Sequence, residues 1–124
     1  MKARVLIADD ASFMRQMIRE IIEPEGFEVV GEASDGVEAM EQYMQLHPDL
    51  VTMDIVMPKR SGIDAVKGIV EQSPGACIVM CSALGQETLV REALQAGAKG
   101  FIVKPFKPEN VIRILENALE KKEG

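Results

Sequence analysis

Two rhythms of apolar residues alternate along the chain. Short continuous runs occur at Arg4-Val5-Leu6-Ile7-Ala8, Leu50-Val51-Thr52-Met53, Cys77-Ile78-Val79-Met80-Cys81 and Gly100-Phe101-Ile102-Val103. Runs this short, bounded by Asp, Gly and Pro, predict buried strands. A fifth run, 27–33, admits Glu28 and Glu32 and predicts an edge strand, where charge is tolerated.

Between the strands the apolar period changes to that of a helix. From Ser12 to Glu23, Phe13, Met14, Met17, Ile18, Ile21 and Ile22 share one face opposite Arg15, Arg19, Glu20 and Glu23, and Pro24 and Gly26 stop the helix. Asp35 and Glu38 have capping-box spacing, and Val37, Met40, Tyr43 and Met44 carry a second helix to about Leu46, its methionines serving as core filler. Ile63, Val66, Ile69 and Val70 mark a third helix that ends at Ser73-Pro74-Gly75. The fourth runs from about Gln86 to Ala96, with Leu89, Val90, Ala93 and Leu94 inward and Gly97 as a left-handed cap. Pro108 opens the last helix, where its missing N–H would have had no intrahelical partner. Val111, Ile112, Ile114, Leu115, Ala118 and Leu119 follow as a wide apolar arc, and 120–124 reads as a solvated helix end.

Strands that alternate strictly with helices imply an α/β fold, a parallel sheet covered on both faces and joined by right-handed crossovers. With 124 residues the chain suits one domain and a doubly wound open sheet, and it is too short for an eight-stranded barrel.

Composition narrows the function. Hydrophobic residues at 47% and charged residues at 27% are those of a soluble globular protein, and no apolar run approaches the roughly 18 residues of a spanning helix. Met1-Lys2-Ala3-Arg4 puts positive charge before an apolar stretch, but Asp9-Asp10 interrupts any signal-peptide core, so residence is expected to be cytoplasmic with no membrane partner. A net charge of −6 argues against a nucleic-acid partner held by a broad basic surface. Cys77 and Cys81 would be roughly 13 Å apart along a strand, too far to pair, and His47 is the only histidine, so neither a disulfide nor a zinc set is expected.

The candidate chemistry lies at the strand ends. Strand one leads into Asp9-Asp10, strand three into Asp54, strand four into Ser82 and strand five into Lys104. In a parallel sheet these ends share the edge where ligands bind, so residues distant in sequence converge. Singly, each has an ordinary reading: helix cap, turn residue or surface charge. Jointly they form a site. Crowded carboxylates repel and call for a cation, and all-oxygen ligation in a water-rich site suits magnesium, which in turn favours phosphate chemistry. Lys104 could pair with Asp54 or with a phosphoryl oxygen, and Ser82 could donate to that same oxygen.

Asp9-Asp10, Asp54 followed by Met57-Pro58 and Gly62, Ser82-Ala83, and Lys104-Pro105-Phe106 together resemble the receiver domain of two-component response regulators over essentially the whole chain. Within that family the chain is most similar to the stand-alone chemotaxis regulators. The resemblance implies a flavodoxin-like sheet in the order 2-1-3-4-5, and a single receiver domain at 1–124 with no effector domain. It makes Asp54 the phosphoacceptor for a histidine kinase, and it has Asp10, Asp54 and the backbone carbonyl of Val56 hold Mg2+, with Asp9 acting through water. Ser82 and Lys104 would contact the phosphoryl oxygens, Lys104-Pro105 would be cis, and Phe101 would be a switch aromatic that turns inward as Ser82 moves. Output would be by protein contact through the face of helix four, strand five and helix five, including Val103 and Phe106. The implied partners are a chemotaxis-type kinase, a flagellar or archaellar motor switch protein or adaptor, and a phosphatase, met by a monomer that catalyses only its own phosphorylation and dephosphorylation.

Two features depart from the common pattern. Phe101 stands where many chemotaxis regulators have tyrosine, and Val56 offers no polar group to orient an attacking water, so slow self-dephosphorylation is expected. The alternative within the class is a single-domain receiver in a phosphorelay outside chemotaxis. A flavodoxin-type flavin carrier shares the topology but would need a Ser- and Thr-rich phosphate loop after strand one. A haloacid-dehalogenase-type phosphatase would place its nucleophile after the first strand with a second Asp two residues on, which Asp54-Ile55-Val56 does not match.

Overall fold

The structure, a computed structural model, describes residues 2–123, excluding the side chains of 122 and 123. Five strands, β1 (Arg4–Ala8), β2 (Glu28–Ala33), β3 (Leu50–Asp54), β4 (Ile78–Ser82) and β5 (Gly100–Val103), form one sheet in the order β2-β1-β3-β4-β5. Every pairing is parallel. The helices between them are α1 (Ser12–Ile22), α2 (Gly36–Leu46), α3 (Gly62–Gln72), α4 (Glu87–Ala96) and α5 (Pro108–Glu123). This is the doubly wound α/β sheet expected from the strand and helix rhythm, in the flavodoxin-like strand order that the resemblance implies.

Alternate strand residues face opposite layers. Leu6, Val51, Met53, Ile78 and Met80 pack under α2, α3 and α4, against Ala39, Tyr43, Val66, Ile69 and Ala93. Val5, Ile7, Leu50, Val79, Cys81 and Ile102 pack under α1 and α5, against Ile18, Ile22, Val111 and Leu115. Because β3 and β4 are covered on both faces, all their residues are buried, which is why they read as continuous apolar runs. At the edge, β2 is only partly covered, as Glu28 and Glu32 foretold.

Several local readings shift. α1 ends at Ile22 rather than Glu23, and a 3-10 turn over Glu23–Glu25 follows, closed by Gly26 with a φ of 99°. The buried stripe of α1 is Met14, Ile18 and Ile22, whereas Phe13 is 67% exposed and Met17 40% exposed. A stripe repeating every four residues covers the sheet, and the row beginning one residue earlier is rotated about a quarter turn away from it. Val37 and Leu94, also expected inward, are exposed. The cap at Asp35 is present, its carboxylate accepting from Glu38 N at 2.8 Å, but Glu38 returns its bond to Ser34 N, one residue before the usual position. The tail expectation holds for the exposed Glu120 and Lys121; at 122 and 123 the helical backbone alone is described, and Gly124 lies outside the described residues.

Candidate functional site

Four strand ends meet at the C-terminal edge of the sheet. Asp9 follows β1 directly and is buried, while Asp10 beside it is exposed. Asp54 is the last residue of β3, 8% exposed, and its register partner on β4 is Cys81, so Ser82 lies one residue further along. Lys104 follows β5, and its backbone N–H donates to the carbonyl of Ser82 at 2.7 Å. The Lys104–Pro105 peptide is cis, as the resemblance implies.

Oxygen atoms of Asp9, Asp10 and Asp54 come within 4.8 Å of one another. Lys104 Nζ reaches into the cluster, 3.5 Å from Asp54 Oδ1 and 3.6 Å from Asp9 Oδ2. Asp9 Oδ1 accepts from the backbone N–H of Ala11 at 2.9 Å, whereas Asp9 Oδ2 is buried without a hydrogen-bond donor. An orphaned, buried carboxylate oxygen beside two further carboxylates and no His or Cys ligand is a donor set that fits a hard divalent cation.

The electrostatics follow from that crowding. Burial, and then the neighbouring Asp9 charge, push the Asp54 carboxyl up to about 6 in spite of Lys104. Burial acts to lower Lys104, yet Asp54 and Asp9 outweigh it and hold the ammonium above its ordinary value. Cys81, buried and next to Asp54, has its thiol pushed up to about 12, which excludes it as a nucleophile at neutral pH.

Val56 lies just past the strand end with a 57% exposed side chain, at the rim of the site rather than in it. Phe101, at 42% exposed, points outward and lines a cavity of about 240 Å³ with Ser82, Ala83, Leu84, Val90 and Val103. The inward state expected of this ring is not the one seen here. The arc of α5 is largely core: Val111, Leu115 and Ala118 are buried, and Ile112, Ile114 and Leu119 pack partly against the same cluster.

Three polar residues near the site are not evident from the strand-end pattern. Thr52, two residues before Asp54, is buried with its hydroxyl unpartnered. Arg15 and Glu32 join α1 to β2 behind the acidic pair; the one available signal was an arginine one helical turn after Asp9-Asp10.

A parallel sheet whose strand ends gather three carboxylates and a lysine has the acidic pocket of a receiver domain. The pattern of the response regulator receiver domain matches residues 5–116, and the chain belongs to that family. It is a CheY-like member. The chemotaxis protein CheY of Thermotoga maritima is 56% identical over 93% of this chain and 96% of its own length. That of Bacillus subtilis is 52% identical over 96% and 99%. Among solved structures, the CheX–CheY–BeF3–Mg2+ complex of Borrelia burgdorferi contains a chain 42% identical, with a TM-score of 0.85 over 89% of this chain and 84% of that one. Receiver domains are signalling switches that bind Mg2+ at an acidic pocket, and the Asp9, Asp10 and Asp54 cluster fits that ion.

Proposed function

We propose that this chain is a chemotaxis switch that accepts a phosphoryl group on Asp54 from the phosphohistidine of a histidine kinase. The observation supporting this reading is the grouping of Asp54 with Asp9 and Asp10, with Lys104 Nζ 3.5 Å from its carboxylate. In the transfer, an Asp54 carboxylate oxygen bonds to phosphorus as the phosphorus–nitrogen bond breaks, and the imidazole leaves with its electron pair and is then protonated. Such a transfer needs in-line placement and charge neutralisation more than covalent help from the protein. Asp9, Asp10, Asp54 and the backbone carbonyl of Val56 would hold Mg2+, with Asp9 acting through water, and the ion would offset charge on the phosphoryl oxygens.

The chain's own residues do the rest. Lys104 exchanges its contact with Asp54 for one with a phosphoryl oxygen, and the Ser82 hydroxyl donates to another. Movement of Ser82 empties space beside Phe101, so the ring turns inward and reshapes the face made by α4, β5 and α5. The added charge thus biases a two-state element, and a monomer in the cytoplasm reports it to a flagellar or archaellar motor switch protein or an adaptor. A phosphatase ends the signal.

Incubation with a small phosphodonor and Mg2+, followed by intact-mass measurement, tests the assignment. Wild type gains one phosphoryl adduct and Asp54→Asn gains none; equal adducts on both would overturn it. Capture of motor switch proteins only by the phosphorylated form tests the output.

A further inference from the structure

Every polar atom of Asp9 except Oδ2 is tied down from behind the site. Its backbone N–H donates to Ala33 O of β2 at 3.0 Å, and its Oδ1 accepts from Ala11 N. Its carbonyl oxygen accepts from Arg15 Nη1 at 2.6 Å. The same guanidinium donates from Nε to Glu32 Oε1 at 2.8 Å, and Arg19 holds Glu32 Oε2 at 2.7 Å. Arg19, opposed by burial and aided by Arg15, keeps Glu32 below the usual carboxylate range, so the anchor stays charged. Oδ2 is left facing Lys104 at 3.6 Å.

We infer that Arg15, anchored by Glu32, is a positioning residue for the cation site. The carbonyl it grips belongs to the peptide joining Asp9 to Asp10, so gripping it fixes the plane of that peptide. Asp10 is exposed and has no core packing to orient it, so the peptide plane sets where its carboxylate points. Sharing one guanidinium between Glu32 and the Asp9 carbonyl supplies that geometry, because its donors are rigidly spaced. Fixing the orientation in advance lowers the ordering cost when the ligands close on an ion, as outer partners of metal ligands do elsewhere.

The sign of the effect separates positioning from charge. Arg15 is a cation near an acidic site, so deleting its charge alone would tighten Mg2+; losing the grip on the peptide would weaken it. This inference rests on the reading that Asp9, Asp10 and Asp54 hold Mg2+. The test is calorimetric titration of the full chain with Mg2+, with thermal midpoints in chelator as a separate record of the fold. Arg15→Met keeps the aliphatic stem and is expected to weaken Mg2+ about tenfold, the low end for loss of an outer partner. Arg19→Ala, which disrupts the same network without touching Asp9, is expected to leave Mg2+ affinity within about twofold, a residual charge effect. Unchanged or tighter binding by Arg15→Met, or equal weakening by Arg19→Ala, overturns the inference while leaving the cation site intact. A wild type that binds no Mg2+ removes the cation reading and this inference with it.

Discussion

Lys104 Nζ stands 3.5 Å from Asp54 Oδ1 and 3.6 Å from Asp9 Oδ2, so one ammonium is shared between two buried carboxylates. Half a counter-charge for each is too little, which is why the Asp54 carboxyl rises to about 6 when burial and Asp9 act against Lys104. The folded chain therefore holds the Asp54 proton more tightly than the unfolded chain, whose carboxyl titrates near 3.9. Stability from this group is present below about pH 4 and lost as pH rises toward 6, the reverse of a salt-bridged carboxylate.

Asp54→Asn removes that cost. In chelator at pH 7 the variant is expected to be more stable than wild type by on the order of 2 kcal/mol, with the gap shrinking toward pH 4.5. Saturating Mg2+ should reverse the order by stabilising wild type alone, by about 2.7 kcal/mol at a hundred times its dissociation constant. Urea unfolding at the two pH values checks this, and a wild type more stable than Asp54→Asn in chelator at pH 7 would refute it.

Gly62 is fixed by the backbone of Asp54. A methyl at position 62 would overlap the carbonyl oxygen of Asp54 and crowd Ile55 Cα, and Gly62 N donates to Ile55 O at 2.7 Å. None of these groups is a flexible side-chain end, so the strand terminus must move. Gly62→Ala should cost about 2 kcal/mol, overlap outweighing the better helix propensity of Ala, and should weaken Mg2+ binding with it. Gly75→Ala, where the space is open, should change neither. Parallel denaturation and Mg2+ titration of the pair provides the comparison.

The strand ends were readable because each ends an uninterrupted apolar run, and a parallel sheet leaves only one edge on which Asp9, Asp54, Ser82 and Lys104 can meet. What could not be read depends on which row of a helix faces inward. Phe13 and Met17 fit the apolar face of α1 as well as Met14 and Ile18 do, and only the width of the sheet beneath decides between the rows. The grip of Arg15 on Asp9 was equally hidden, since an arginine on the polar side of a helix ordinarily faces water and here bends back over β2. Phe101 was hidden too: it lies in an apolar run like the core residues around it, yet its ring faces outward at 42% exposure.

Thr52 is the one described residue in β3 with an unsatisfied buried hydroxyl, held between Ile7 of β1 and Val79 of β4. Its oxygen lost water on folding and gained no partner, a desolvation cost without return. Thr52→Val keeps the shape and the β-branch and should stabilise the protein by about 1 kcal/mol. Phosphoryl acceptance by Asp54 should be unchanged. A lower urea midpoint for the variant would show that the hydroxyl has a partner after all.

Under the proposed function, Val56 should set how long the acyl phosphate on Asp54 lasts. Its side chain is 57% exposed at the mouth of the site, close enough in sequence to Asp54 to line the approach of an attacking water and too apolar to orient it. Orienting that water is the main assistance a protein can give to hydrolysis of a phosphoryl group already neutralised by a cation and a lysine. Val56→Asn introduces a carbonyl acceptor and an amide donor at the same exposed position without burying either, so the fold should be unaffected. Its acyl phosphate is expected to decay several-fold faster than that of wild type at equal Mg2+, measured by loss of the intact-mass adduct after removal of the phosphodonor. A wild type that decays as fast as the variant would mean that water is positioned by another group, and that Val56 is a bystander at the rim.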